Sequence, residues 1–113
     1  MPTPFQQAVW DAVRQIPRGR VTTYGEIARH LGTGAVRAVG SAVAKNPHAP
    51  AVPCHRVVRS DGMAGQYSGG QGMATKIALL REEGIEVHNG RIVAFESAIW
   101  RYPSQSVTNP SGR

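Results

Sequence analysis

The sequence predicts one small α/β domain, mostly helical, organised around a winged helix-turn-helix. Three observations carry that expectation. The first 46 residues hold three apolar-periodic stretches, the second and third joined by a short Gly-containing turn. A valine pair at 57 and 58 suits a short strand. The dipeptide Asn89-Gly90 lies between two short β-prone runs. A chain of 113 residues buries about two-thirds of its unfolded surface, which is room for one core arranged in three thin layers and excludes a second catalytic domain.

Thr3-Pro4-Phe5-Gln6 supplies a cap residue, a proline at the first helical position and a glutamine three residues after the cap, the spacing of a capping box. The helix that follows carries Phe5, Ala8, Val9, Ala12, Val13 and Ile16 on one apolar face, has Trp10 as a core residue at its edge, and stops at Pro17. Thr23 and Glu26 repeat the capping-box spacing ahead of a helix from Tyr24 to His30, whose Ile27, Ala28 and Leu31 lead to Gly32 beyond its end. Ala35, Val36, Ala38, Val39, Ala42 and Val43 form the third stretch, halted by Asn46-Pro47. Two short helices about such a turn make a helix-turn-helix pattern, and the second carries Arg37 and Lys45 as a DNA-facing helix requires.

Prolines at 47, 50 and 53 have the three-residue period of an extended polyproline path. Asn46 to Pro53 is therefore expected to cross the middle of the domain and deliver the chain to Cys54. Val57-Val58 reads as a short strand, Ser60-Asp61-Gly62 as a turn, and residues 65–72 as a glycine-rich loop around Tyr67 that is mobile or wraps a ligand. Helical spacing returns from Met73 to Glu83 through Met73, Ile77 and Leu80, with Gly84 as its cap. Ile85-Glu86-Val87 and Arg91-Ile92-Val93 flank the hairpin turn. Residues 103–113 lack periodicity and are expected to be a disordered tail behind a domain of residues 1–102. There is no internal repeat.

A single cysteine excludes an internal disulfide and a cysteine-rich structural zinc cluster. No apolar run approaches the roughly 18 to 20 residues of a membrane span, and Met1 to Phe5 lacks the basic-then-apolar order of a leader. A soluble, unexported, cytoplasmic chain is expected, nucleoid-bound or nuclear where DNA is compartmented. The net charge of +6 is unevenly placed: from Arg14 to Arg59 eight basic residues stand against Glu26 alone, whereas from Ser60 onward five basic residues face five acidic ones. Eleven of the thirteen basic residues are arginine, whose planar fork suits phosphates and base edges. This half-molecule field favours a nucleic-acid partner; a basic surface that serves only solubility is the plainer alternative.

Pro53-Cys54-His55-Arg56-Val57 puts the only thiol beside an imidazole in a basic setting. A neighbouring base or cation favours the thiolate, the form that attacks carbon electrophiles. The plainer reading is an inert small side chain in the core next to a packed or solvated histidine. On an extended segment the two side chains would also point to opposite faces, so His55 would reach Cys54 only through a water or a local bend.

The run from Arg37 to Gly84 resembles the C-terminal domain of O6-alkylguanine-DNA alkyltransferases. Pro53-Cys54-His55-Arg56-Val57 is similar to that family's acceptor motif, Arg37-Ala38-Val39-Gly40 to its recognition-helix signature, and Asn46-Pro47 to its hinge. Tyr67-Ser68-Gly69-Gly70 resembles the substrate loop, Leu79-Leu80 through Glu83-Gly84 the closing helix, and Tyr24 in Val21-Thr22-Thr23-Tyr24-Gly25-Glu26 the start of the helix-turn-helix. The similarity covers roughly residues 4 to 95. It implies the alkyltransferase C-terminal type of fold, Cys54 as irreversible alkyl acceptor, His55 as its base through a water, and Glu83 as the group that orients and charge-balances His55. Asn46 would brace the turn before the acceptor. Tyr24 would contact the backbone and the flipped guanine, Arg37 would fill the stack in its place, and Lys45 and Arg56 would join them as DNA contacts. Tyr67, Ser68 and Val57 would close on the base. Taken singly, these residues have plain alternatives: Tyr24 as helix-edge core, Arg37 as a phosphate anchor or solvated charge, Ser68 as a turn former, Glu83 as a partner of Arg81 or a helix cap, and Asn46 as a helix terminus.

The chain departs from the family pattern in three ways. No further domain is expected ahead of the DNA-binding part, about two extra residues lie between Gly70 and Leu79, and the ending Ala98-Ile99-Trp100-Arg101-Tyr102-Pro103 resembles alkyltransferase-like proteins, which have Trp or Ala where the acceptor cysteine would be. The leading expectation is a single-use transferase acting on O6-alkylguanine in double-stranded DNA, monomeric, without metal or organic cofactor or membrane contact. The alternatives are a lesion-binding protein that flags O6-alkylguanine for excision-repair partners, and a winged-helix regulator with an incidental thiol.

Overall fold

The structure is a computed structural model that describes residues 2–47, 51–65 and 71–103. Its elements run in the order α1 (Pro4–Arg14), β1 (Thr22–Thr23), α2 (Tyr24–His30), α3 (Val36–Ala44), a 3-10 turn (Cys54–Arg56), β2 (Val57–Val58), α4 (Met73–Glu82), β3 (Val87–His88), β4 (Arg91–Ile92) and α5 (Phe95–Ala98). Helix dominates, and the four strands are two residues each. β1 and β2 pair in parallel, Thr22 opposite Val57 and Thr23 opposite Val58, while β3 and β4 pair antiparallel.

The local signals that start and stop these helices act as expected. Gln6 N–H donates to Thr3 Oγ1 and Thr3 N–H to Gln6 Oε1, both at 3.0 Å, closing the capping box of α1. At the end of α2, Gly32 takes a φ of +73°, Thr33 N–H bonds Ala28 O at 3.0 Å and Gly32 N–H bonds Arg29 O at 3.1 Å. This is a Schellman motif, which absorbs the last carbonyls of the helix and turns the chain sharply into α3. The cap of α2 departs from expectation in one arm. Glu26 N–H donates to Thr23 Oγ1 at 3.0 Å, but the Glu26 carboxylate turns away to Arg29 and Arg101. A guanidinium adds ion-pair attraction that a neutral backbone amide does not offer the carboxylate.

Two apolar cores lie on either side of the β1–β2 pair. One joins α1, α2 and α3 through Val9, Trp10, Val13, Ile27, Val39 and Val43, and includes Cys54 and Val57. The other gathers Val21, Val58, Leu80, Ile85, Val87 and Ile92 beneath α4 and the hairpin. Successive residues of a strand face opposite ways, so Val57 enters the first core and Val58 the second. The turn carrying Cys54 is thereby held at the seam between them. Trp10 closes the first core and donates its indole N–H to Ala42 O at 2.8 Å. Trp10→Phe should lower unfolding free energy by about 1–3 kcal/mol, from the lost hydrogen bond and the void left by the smaller ring, read as a shifted urea midpoint with the slope unchanged.

The hairpin forms at Asn89-Gly90, both residues at positive φ (51° and 76°), the pair a type I′ turn requires. Beyond it, Trp100 N–H reaches Val21 O at 2.6 Å and the Tyr102 hydroxyl donates to Ala12 O at 2.7 Å, strapping the end of the domain across β1 and α1. Tyr102 also stacks on His30 with ring centroids 4.2 Å apart. The expected polyproline path is described only at its ends. There Asn46 Nδ2 donates to Val52 O at 2.9 Å and Cys54 N–H bonds the same carbonyl at 2.8 Å. The substrate-loop residues Tyr67 and Ser68, and residues 104–113 of the expected tail, lie outside the described residues.

Candidate functional site

Pro53 ends the incoming segment, and the next three residues wind into a 3-10 turn, the local bend that was one of the two ways for His55 to reach Cys54. Arg56 N–H bonds Pro53 O at 2.9 Å. This is the local bend that an extended Cys54-His55 pair would lack. Cys54 is 4% exposed and His55 2%, so both are withdrawn from bulk water. His55 Nε2 lies 2.9 Å from Glu83 Oε2, and among the described residues Nδ1 has no hydrogen-bond partner.

Glu83 arrives here because of a backbone signal. It is the last residue before Gly84, whose φ of +86° accompanies bonds from Gly84 N–H to Arg81 O and Ile85 N–H to Leu80 O, both 3.0 Å. That second Schellman motif ends α4 and packs Ile85 with Leu80 in the second core. The carboxylate of Glu83 is only 6% exposed. Burial pushes its pKa up, but hydrogen bonds and charge from Arg56 and His55 outweigh burial and hold it at about 2. Burial pulls the His55 pKa down, with Arg56 and Lys76 acting in the same direction and Glu83 against them. The imidazole is thus neutral near pH 7. An ionised carboxylate only accepts, so the Nε2 nitrogen carries the proton and Nδ1 keeps a lone pair.

Arg56, expected as a DNA contact, is turned inward instead. Nε and Nη2 donate to the two oxygens of Glu83 at 2.9 and 2.7 Å, and Nη1 donates to Ile16 O at 2.8 Å. A buried carboxylate attracts a bidentate guanidinium more strongly than a solvated phosphate position would. Val57 is likewise in the core, and its carbonyl accepts from Lys76 Nζ at 2.7 Å.

Lys76 is a site residue that the sequence reading missed. It is fully buried, and burial lowers its pKa to about 8 against the opposing charge of Cys54. A signal existed: Lys76 sits four residues before Leu80, on the same buried face of α4. Tyr24, half-buried at the start of α2, comes to the same place, its hydroxyl pKa pushed up by burial and by Cys54. A methyl at Gly65, where φ is +80°, would lie 3.7 Å from both the Tyr24 hydroxyl and Lys76 Nζ. Gly65 thus lies against the phenol and the ammonium, both of which interact electrostatically with Cys54. Arg37 is exposed on α3 and Lys45 at the C-cap just beyond it, and Asn46 braces the segment leading to Cys54 through Val52 O.

Glu83 also makes stability depend on acidity. Its folded pKa of about 2 lies below the ordinary 4.5, so its contribution is complete above that value and is lost as pH falls toward 2. Glu83→Gln should flatten this part of the acid limb, so that urea midpoints at pH 6 and pH 3 differ less than in the wild type.

A model of the 6-O-methylguanine DNA methyltransferase DNA-binding domain matches residues 4–85. The methylated-DNA–protein-cysteine methyltransferase of Salmonella typhimurium is 51% identical over 83 residues, 73% of this chain and 47% of that protein. The protein of the same name from Methanothermobacter thermautotrophicus is 45% identical over 85 residues, 75% of this chain and 47% of that protein. The chain spans about half the length of these curated relatives. Among solved structures, Mycobacterium tuberculosis OGT in complex with DNA superposes with a TM-score of 0.69 at 49% identity, covering 74% of this chain and 51% of that one. S. pombe Atl1, in complex with damaged DNA containing O6-carboxymethylguanine, superposes with a TM-score of 0.77 at 34% identity, covering 90% of this chain and 100% of that one. On a match across residues 4–85 that includes the Cys54 turn and the Glu83 cap, the chain belongs to the family of the 6-O-methylguanine DNA methyltransferase DNA-binding domain.

Proposed function

We propose that this domain docks on double-stranded DNA, turns an O6-alkylated guanine out of the stack and takes the alkyl group onto Cys54. In this reading α2 and α3 act as the helix-turn-helix, β3 and β4 as the wing, and the arginine-rich half as the phosphate-facing side. Flipping is required because the O6 substituent of a stacked base is beyond the reach of a side chain, and extrusion costs a few kcal/mol. Arg37 fills the vacated space and Lys45 meets the backbone.

His55 Nδ1 takes the thiol proton through a water, and Sγ attacks the alkyl carbon. The S–C bond forms as the C–O6 bond breaks, and its electrons pass into the departing guanine, which gains a proton from the Tyr24 hydroxyl. The Lys76 ammonium and the polarised imidazole stabilise the negative charge that develops on sulfur as the proton leaves, in a site withdrawn from bulk water. A thioether has no easy route back, so each chain reacts once. The observation that carries this reading is the buried Cys54-His55 turn joined to Glu83 at 2.9 Å, a nucleophile, base and orienter in series.

Intact-mass measurement after incubation with O6-methylguanine DNA tests it. A gain of one methylene group on Cys54, one per chain, is expected. A second reading, a lesion-binding protein that flags the damage for excision repair, draws support from the match that covers 90% of this chain and all of S. pombe Atl1. Tight binding of the same DNA with no gain in mass would select that reading over the first.

A further inference from the structure

We propose that Arg56 is a positioning residue for alkyl transfer, its guanidinium fork setting the orientation and proton arrangement of the His55–Glu83 pair from within the protein. This deepens the transfer reading and rests on it. All three kinds of guanidinium nitrogen are engaged inside the protein: Nε with Glu83 Oε1, Nη2 with Glu83 Oε2 and Nη1 with Ile16 O. The fork therefore ties the end of α1 to the end of α4 and aims the shared oxygen, Oε2, at His55 Nε2.

The chemistry follows from one carboxylate serving two partners. A buried glutamate facing only a histidine has two ways to relieve its charge: it can protonate itself, or it can draw a proton onto the imidazole. Either outcome spoils a base. A protonated carboxyl could donate to Nε2 and reverse the tautomer, whereas an imidazolium has no lone pair for the thiol proton. A bidentate guanidinium works against both routes, because it keeps Glu83 ionised and, alongside burial, offsets part of its pull on His55. The neutral imidazole must then donate through Nε2, leaving Nδ1 as acceptor.

The charged groups around the pair leave Arg56 as the one suited to this task. Lys76 of α4 is spent on the Val57 carbonyl among its contacts. Arg18, beyond α1, stands 3.8 Å from Glu83 with its side chain 64% exposed, where solvent screens it. Among the described residues, Cys54 and Tyr24 are the other ionisable groups linked to this site.

The test uses the whole chain with Arg56→Gln and Arg56→Lys, and two measurements. One is the pH dependence of Cys54 alkylation by free O6-benzylguanine, followed by intact mass. The other is the titration and tautomer of His55, read from imidazole nitrogen NMR of unreacted protein. Arg56→Gln should raise the His55 midpoint by about one pH unit, the scale of losing an opposing charge at this range, and move the alkylation midpoint up with it. Arg56→Lys should restore both midpoints yet leave the plateau rate several-fold low, because one ammonium cannot hold two oxygens in a plane. An unchanged His55 midpoint and tautomer in Arg56→Gln would overturn the proposal, whatever the rate. If that variant does not fold, an Arg56→Lys plateau equal to wild type overturns it instead. If wild type never reacts with O6-benzylguanine, the transfer reading fails, while the His55 titration still decides the role of Arg56.

Discussion

Cys54→Ser is expected to bind O6-alkylguanine DNA about as tightly as wild type and to transfer nothing from it. Serine occupies nearly the same volume, and the position is buried at the seam between the two cores, so packing changes little. The chemistry changes entirely. A thiol gives up its proton to a neighbouring imidazole far more readily than an alcohol does, and an alcohol is a much weaker nucleophile toward saturated carbon. Replacing a nucleophile of this kind lowers rates on the order of 10³-fold or more. Two readouts check the result: intact mass after incubation with O6-methylguanine DNA and with free O6-benzylguanine, and anisotropy of labelled lesion DNA. Residual transfer at the wild-type rate would move the acceptor away from Cys54. A loss of binding equal to the loss of transfer would make the thiol a recognition element instead.

Arg37→Ala should separate extrusion from chemistry. Arg37 is exposed on α3, and its proposed task is to fill the gap left by the flipped nucleotide, a state that costs a few kcal/mol to reach. Losing a filler worth about 2–3 kcal/mol slows duplex repair on the order of 10²-fold. Free O6-benzylguanine needs no flipping, so its reaction with Cys54 should stay within about twofold of wild type by the same arithmetic. Single-turnover rates on both substrates give the comparison. Equal damage to both would reassign Arg37 to the support of the site, and no damage to either would leave it a solvated charge.

The helices were legible because their limits are written in neighbouring residues. Thr3 and Gln6 cap α1, Gly32 and Gly84 end α2 and α4 at positive φ, and Asn89-Gly90 turns the hairpin. Each acts over three to five residues through backbone sterics and orphan amides, so no tertiary information was needed. The expectation for Glu26 failed where that locality failed. Its capping arm was taken by Arg29, one turn on, together with Arg101, 75 residues away, and the distant partner is one that capping-box spacing cannot reveal.

The site divides along the same line. The amino-acid sequence by itself determined the thiol, the imidazole next to it, the arginine-rich half and the order of motifs that identifies the family. Only the tertiary structure decided what those groups touch: that the Cys54 turn is 3-10 rather than extended, that Glu83 meets His55 across 28 residues, that Arg56 faces inward rather than toward DNA, and that Lys76 loses all solvent contact beside the thiol. The physical reason is range and medium. Capping and turn formation depend on dihedral angles and the nearest hydrogen-bond partners, whereas a pKa or a guanidinium's choice of partner depends on the charges and dielectric that distant segments bring together, and these exist only once α1, α4 and the β1–β2 pair have closed around Cys54.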